Sequence, residues 1–284
     1  MQNDLLHHIT MMSDKYRNKL FANAIKSACK PNDCVVEIGT GLGLLSLLIA
    51  RQINRNVHSI EYNSKTLQYA KAILSNDSVD NIKFYNMSSF DFSERIAPDI
   101  LCTETFGPVG VEENIVELCF EFKSKYPMIR RLIPETLQVF MVPFYSQMID
   151  IEVGILRHSL SDPFSQFSLD VDFAEIVTDF MSTVLQFKPA ISFERFGDTV
   201  QIGDFELGRS FTSEMRGVHL FKPDLYNGIL FYFESKLTEN IKLSTQSGNT
   251  KTHWGNNFIL KPAGYNTLSY CYDPGVREWQ FKWS

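Results

Sequence analysis

Between Val35 and Ala50 the sequence reads VVEIGTGLGLLSLLIA. An apolar pair leads through Glu37 and Ile38 into Gly39, Thr40, Gly41, Leu42 and Gly43, and an unbroken apolar run follows. This order predicts a buried strand, a glycine turn and a helix. Glycines let the backbone turn tightly and come close to a ligand, and the helix start presents unpaired N–H groups. Turns of this kind serve nicotinamide, flavin and S-adenosylmethionine enzymes alike, and some are simply tight strand-to-helix connections.

The segments that follow narrow the choice. Val57 to Glu61 (VHSIE) reads as a second strand that finishes on an acid. In a doubly wound sheet such an acid lies at the ligand crevice, where its oxygens accept both hydroxyls of a ribose; otherwise it is a strand-end acid facing water. A helix from about Lys65 to Leu74 is expected next, then strands at Ile82 to Tyr85 and Asp99 to Cys102. Alternating strands and helices predict a parallel sheet covered on both faces. Ahead of this unit, Ile9, Met11, Met12, Tyr16, Leu20, Ala24 and Ile25 recur at helical spacing, which predicts one helix from His8 to about Pro31. Beyond the fourth strand, TETFGPVGVEEN sets Glu104 right after a buried strand, with Glu112 and Glu113 across a loop containing Gly107, Pro108 and Gly110. Two carboxylates then face one pocket, unless Glu112 and Glu113 only open the following helix, where acids favour the dipole.

From Pro134 on the helical rhythm thins. Strands are expected at Gln138 to Val142, Ile149 to Val153, Thr199 to Ile202, Gly228 to Phe233, Phe258 to Leu260 and Glu278 to Trp283. Residues 162–186 form an aromatic excursion with helical spacing towards its end, and Thr238 to Lys251 reads as an exposed loop. The expected organisation is a Rossmann-like α/β domain over 1–133, carrying the N-terminal helix, and a β-rich domain over 134–284.

Composition excludes several classes. The 284 residues are 44% hydrophobic, enough for a large core, yet their apolar runs fall far short of the roughly 20 residues of a membrane span. The first 14 residues hold two acids and two histidines where an export signal needs a basic and then an apolar stretch. Five cysteines without a CxxC pair read as reduced core residues of a cytoplasmic protein, and no metal site is expected. A net charge of −6 argues against nucleic-acid partners and suits a cationic substrate.

The triplet Thr252, His253, Trp254 (THW) joins the glycine loop, the paired glutamates and the N-terminal MMSDKYRN in one order, and in that order the chain resembles the protein arginine methyltransferases. The resemblance covers nearly the whole chain, from His8 to the last strand. It implies a class I methyltransferase fold followed by a β-barrel-like domain with a dimerisation arm at about 157–186, a homodimer, and S-adenosyl-L-methionine as cofactor. By the same resemblance Gly39, Gly41 and Gly43 would line the methionine moiety, Glu61 would hold the ribose, and Arg17 would pair with the cofactor carboxylate. Ser89, Phe90 and Asp91 would surround the adenine. Met11 would sit beside the transferred methyl, Glu104 and Glu113 would grip the guanidinium, and His253 and Asp14 would form a pair near the site supported by Trp254. Adjacent acids leave the choice between Glu112 and Glu113 open. Many family members carry a further N-terminal helix with paired tyrosines, and only seven residues precede His8 here, which implies an incomplete lid.

The chemistry accounts for these residue types. Arginine stays protonated and its lone pairs are delocalised, so it is a poor nucleophile. Two carboxylates gripping it orient one terminal nitrogen and draw positive charge towards themselves, favouring electron density on that nitrogen. Free arginine, a related guanidino metabolite and an arginine in a peptide or protein all satisfy this reading of the substrate. A silent dimeric scaffold of the same fold is a third possibility, against which intact Glu104, Glu61 and Arg17 speak.

Overall fold

The computed structural model describes residues 2–75, 77, 79–165, 174–183, 185–188, 191–222, 225–247 and 252–284. The chain divides into two compact units, one made of residues 1–138, 204–213 and 233–253, the other of the remainder.

The first unit is built on a five-stranded parallel sheet of β1 (Val35–Ile38), β2 (Val57–Glu61), β3 (Ile82–Asn86), β4 (Ile100–Thr103) and β5 (Arg131–Ile133) in the order β3-β2-β1-β4-β5. β1 and β4 are buried at every position, as the apolar sequences VVEI and ILCT require of strands covered on both faces. The helices are α1 (Gln2–Ser13), α2 (Lys15–Ala28), α3 (Leu44–Ala50), α4 (Ser64–Leu74) and α5 (Ile115–Lys125). β1 lies between β2 and β4, so the strand order reverses beside it, and the crevice at its carboxyl end is where such sheets bind ligands. Glu61 ends β2 and Glu104 follows β4, so the topology carries both to that end. The expected N-terminal helix is in fact two. Asp14 leaves the helix, accepts a hydrogen bond from the Arg17 N–H at 2.9 Å and caps α2, a stop that apolar spacing alone does not register.

The division between units falls within β6 (Thr136–Tyr145), which starts in the first and ends in the second. In the second unit α6 (Gln147–Ser165) and α7 (Ala174–Thr183) are followed by β7 (Gln186–Lys188) and β8 (Arg195–Phe196). Next come β9 (Val200–Glu206), β10 (Met215–Leu220), β11 (Gly228–Thr238), β12 (Ile241–Ser244), β13 (Asn256–Leu260), β14 (Thr267–Asp273) and β15 (Glu278–Trp283). Their pairings, such as β11 with β13 and β10 with β14, are antiparallel. One core of this unit gathers Phe144, Ile149, Val177, Met181, Tyr232 and Phe258.

Two expectations are corrected here. Ile149 to Val153 is the start of α6, not a strand. The sequence IDIEV alternates like a strand over five residues, but Ile149, Val153 and Leu160 pack on the core at helical spacing, while Ile151 and Ile155 are exposed. Thr238 to Lys251 is not one loop, because Ile241–Ser244 forms β12 and pairs with β11. The expected arm at about 157–186 lies partly outside the described residues, which within it are α6 up to Ser165, α7, and Leu185 with Gln186. Among the described residues no helix is long and apolar enough to cross a membrane.

Candidate functional site

At the carboxyl ends of the parallel strands the first unit holds a cavity of about 310 Å³. Its walls come from the glycine loop after β1, the end of β2, the segment after β3, the loop after β4, and the helices α1 and α2. Of the residues singled out in the sequence, Met11, Arg17, Gly39, Gly41, Glu61, Ser89, Glu104 and Glu113 line it.

The glycine loop is braced against β2. The N–H groups of Gly39 and Thr40 donate to the Ile60 carbonyl at 3.0 and 3.2 Å. The Gly41 N–H donates to Glu61 Oε2 at 3.0 Å, and the Asn63 N–H donates to Glu61 Oε1 at 2.8 Å. Glu61 thus ties the loop to the start of α4 while its carboxylate faces the cavity. Gly43 has a different task. At φ +89° it caps α3, and an added Cβ would come within 2.8 Å of the Leu74 side chain, so it lets α3 and α4 approach and does not line the cavity.

Arg17 and Glu104 are both almost fully buried, and Arg17 Nη2 donates to Glu104 Oε2. Arg17 Nη1 donates to Asn18 Oδ1 at 2.8 Å, and the guanidinium lies 5.7 Å from the Phe21 ring centre. The sequence assigned these two groups to different ligands, whereas the structure pairs them with each other, which offsets the cost of burying either charge. Three polar atoms here have no hydrogen-bond partner among the described residues: Arg17 Nε, Glu104 Oε1 and Thr40 Oγ1. Buried polar groups are seldom left so, and these belong to residues that line one cavity.

The two adjacent glutamates take different roles. Both oxygens of Glu112 accept from the Val109 N–H at 3.1 Å, folding that side chain back into its own loop. Gly107 makes room for it, since a Cβ there would lie 2.4 Å from Glu112 Oε2. Glu113 is the one that lines the cavity, together with Glu104.

Asp14 and His253 meet through Nδ1 and Oδ2 at 3.0 Å, and the His253 N–H also donates to Oδ2 at 2.9 Å. Burial pushes the Asp14 carboxyl up, but the hydrogen bonds from the His253 ring and from the backbone of Arg17 and His253 outweigh it and hold it below its ordinary 3.8. Neither residue is among those lining the cavity, although the His253 ring stands 6.1 Å from that of His7, which is. Trp254 is buried and counts with the second unit, where its carbonyl accepts from Asn257 at 3.2 Å. Phe90 and Asp91 belong to a short turn after β3 and are exposed, so of the expected adenine residues only Ser89 lines the cavity. The sequence reading passed over His7, His8, Thr40 and Thr105, all of which line it. The histidines stand one turn before Met11, a spacing that shares its helix face and could have flagged them.

No family model matches the chain. Over 118 residues, 39% of this chain and 14% of the relative, it is 30% identical to protein arginine N-methyltransferase 9 of Mus musculus. The chain spans less than half the length of the first curated relatives that it matches. Among solved structures it is similar to Arabidopsis thaliana protein arginine methyltransferase 10, with a TM-score of 0.70 at 16% identity, covering 100% of this chain and 96% of that one. It is also similar to the Trypanosoma brucei PRMT1 enzyme-prozyme heterotetrameric complex with AdoHcy, with a TM-score of 0.66 at 15% identity, covering 93% of this chain and 86% of that one. The chain is thus similar in sequence, over part of its length, to a protein arginine N-methyltransferase, and it shares the fold of solved protein arginine methyltransferases.

Proposed function

We propose that the protein is an S-adenosyl-L-methionine-dependent N-methyltransferase acting on the guanidino group of arginine within a peptide or protein. The observation that carries this reading is the pairing of carboxylates in one cavity: Glu104, buried with one oxygen unpartnered among the described residues, and Glu113. The cavity suits the cofactor, because buried Arg17 Nε and Thr40 Oγ1 await polar partners beside a braced glycine loop and a strand-end carboxylate. When bound, the cofactor supplies an electrophilic methyl group.

In this reading Glu61 accepts the ribose hydroxyls and Arg17 attracts the cofactor carboxylate. Gly39 and Gly41 let the backbone approach the methionine moiety, Gly43 sets the angle of the helix behind it, and Met11 limits space at the methyl. Ser89, Phe90 and Asp91 flank the adenine, and Trp254 supports the site. Glu104 and Glu113 grip the substrate guanidinium, aim one terminal nitrogen and concentrate its positive charge on their own side. The methylated nitrogen then sheds a proton to one of these glutamates or to the Asp14–His253 pair.

The proposal extends to organisation. Residues 1–133 bind the cofactor, 134–284 shape the substrate side, and the segment at about 157–186 is a dimerisation arm of a cytoplasmic homodimer. Exposed Ile176 and Phe180 on α7 support an arm that docks on a second copy. Substrate class is tested by comparing kcat/KM for free arginine and for the same arginine in a short capped peptide. Turnover of the peptide supports the proposal, whereas efficient turnover of free arginine with an inert peptide replaces it by a small-molecule methyltransferase.

A further inference from the structure

Thr105 lines the cavity directly after Glu104, and its part there is set by a short relay of hydroxyls. Thr103, the last residue of β4, is buried and donates from Oγ1 to the Ile38 carbonyl at 3.0 Å. The same Oγ1 stands 3.1 Å from Thr105 Oγ1. A hydroxyl has one proton and a carbonyl can only accept, so the Thr103 proton lies on Ile38 and Thr105 is the donor to Thr103. Thr105 has thereby committed its own proton. Half-buried at the cavity wall, its oxygen offers the cavity lone pairs only, which makes a group of either polarity into a fixed acceptor.

A second hydroxyl nearby has the opposite freedom. Thr40 lines the same cavity, and its Oγ1 is buried with no hydrogen-bond partner among the described residues, so its proton is uncommitted. Gly39 joins the two. It precedes Thr40 in the chain, and a Cβ built on it would come within 3.1 Å of Thr105 Cγ2, so Thr105 stands against the glycine loop. An acceptor-only hydroxyl and a donor-capable one therefore both adjoin Gly39.

We propose that Thr105 Oγ1 accepts a hydrogen bond from the α-ammonium of S-adenosylmethionine and makes the site selective for a cofactor that carries this group. The inference rests on the cofactor reading above, in which Gly39 backs the methionine moiety. The ammonium and carboxylate of that moiety share one carbon, so they need neighbouring receptors of opposite kind. Arg17, assigned to the carboxylate, is hydrogen-bonded to Glu104, the residue just before Thr105. A further acid at position 105 would repel the carboxylate, whereas a neutral oxygen accepts from the ammonium without doing so. The substrate guanidinium has Glu104 and Glu113 as its acceptors and does not call for this one.

The test titrates the full chain calorimetrically with S-adenosylhomocysteine and with its desamino analogue, in which hydrogen replaces the α-amino group. Wild type prefers S-adenosylhomocysteine. Thr105→Val keeps the shape and removes the oxygen. It weakens S-adenosylhomocysteine binding by about tenfold or more and leaves the analogue unchanged, because only the first ligand loses a hydrogen bond from a charged group. Thr105→Ser, which keeps the hydroxyl, restores the preference. The proposal is overturned, with the cofactor reading intact, if Thr105→Val leaves S-adenosylhomocysteine affinity unchanged or weakens both ligands equally. It is overturned too if the variant raises only the KM for an arginine peptide, which assigns the hydroxyl to the guanidinium. If wild type binds neither ligand, the cofactor reading itself fails and this inference with it.

Discussion

Glu37 lies on the central strand β1 and is fully buried. Its Oε2 accepts from the hydroxyls of Ser46 on α3 and Ser59 on β2, and its Oε1 has no partner among the described residues. Burial pushes its pKa from 4.5 to about 7, against the pull of the two serines. A carboxyl whose folded pKa is raised holds its proton longer when folded than when unfolded, so stability falls as pH rises from 4.5 to about 7 and levels off above. That gap is worth about 1.4 kcal/mol per pH unit, or about 3 kcal/mol in all. Glu37→Gln keeps the shape and an acceptor for the serines and removes the ionisation. Urea unfolding at pH 5 and pH 8 should show wild type losing about 2.5 kcal/mol relative to the variant, because a part of the gap is already lost at pH 5. Parallel pH profiles for the two proteins would refute the burial argument.

Other perturbations separate cofactor, chemistry and assembly. Glu61→Ala should weaken S-adenosylmethionine binding by the loss of two charged hydrogen bonds worth about 1.5 to 3 kcal/mol each; unchanged affinity in calorimetry of the folded variant removes Glu61 from the site. Glu104→Gln should keep the cofactor yet lower turnover by about a hundredfold or more, and near wild-type turnover rejects the paired-carboxylate mechanism. Asp14→Asn should cost about 1 kcal/mol or more, since a charged cap and its His253 partner are lost together. Because the Asp14 pKa is lowered, its contribution is complete above 3.8 and fades as the pH drops through the lower folded value, so the variant and wild type should converge in acid. Light scattering of a variant lacking residues 162–182 should report a smaller species than the full chain, and a full chain already monomeric at micromolar concentration excludes the arm.

The first half of the chain was legible because each element there carries its own signal. β2 falls on Val57–Glu61 as expected, and β1 and α3 bracket the glycine turn as expected, since a sheet buried on both faces writes itself as unbroken apolar runs. The second half was harder. β10 alternates in burial but turns Val218 and Leu220 to its exposed side, so its sequence lacks the apolar-in, polar-out pattern of a strand with one wet face. Within the site, sequence could name Glu104 but could not say which of Glu112 and Glu113 turns inward. The fold places Glu112 on the Val109 N–H, and that contact depends on the glycine opposite it. Nor could spacing foresee that Arg17 and Glu104, 87 positions apart, share a hydrogen bond. The break at Asp14 was written in the sequence as a capping residue and was hidden by apolar spacing that continues across it.

The most direct test of the central claim is isotopic methyl transfer. Wild type and Glu104→Gln are each incubated with trideuteromethyl-labelled S-adenosylmethionine and arginine-rich peptides, free arginine or agmatine, and the products are fragmented by mass spectrometry. The account predicts label on a guanidino nitrogen of peptidyl arginine with wild type and almost none with the variant. Cofactor binding without label on any guanidino nitrogen, or equal labelling by the two proteins, would contradict it.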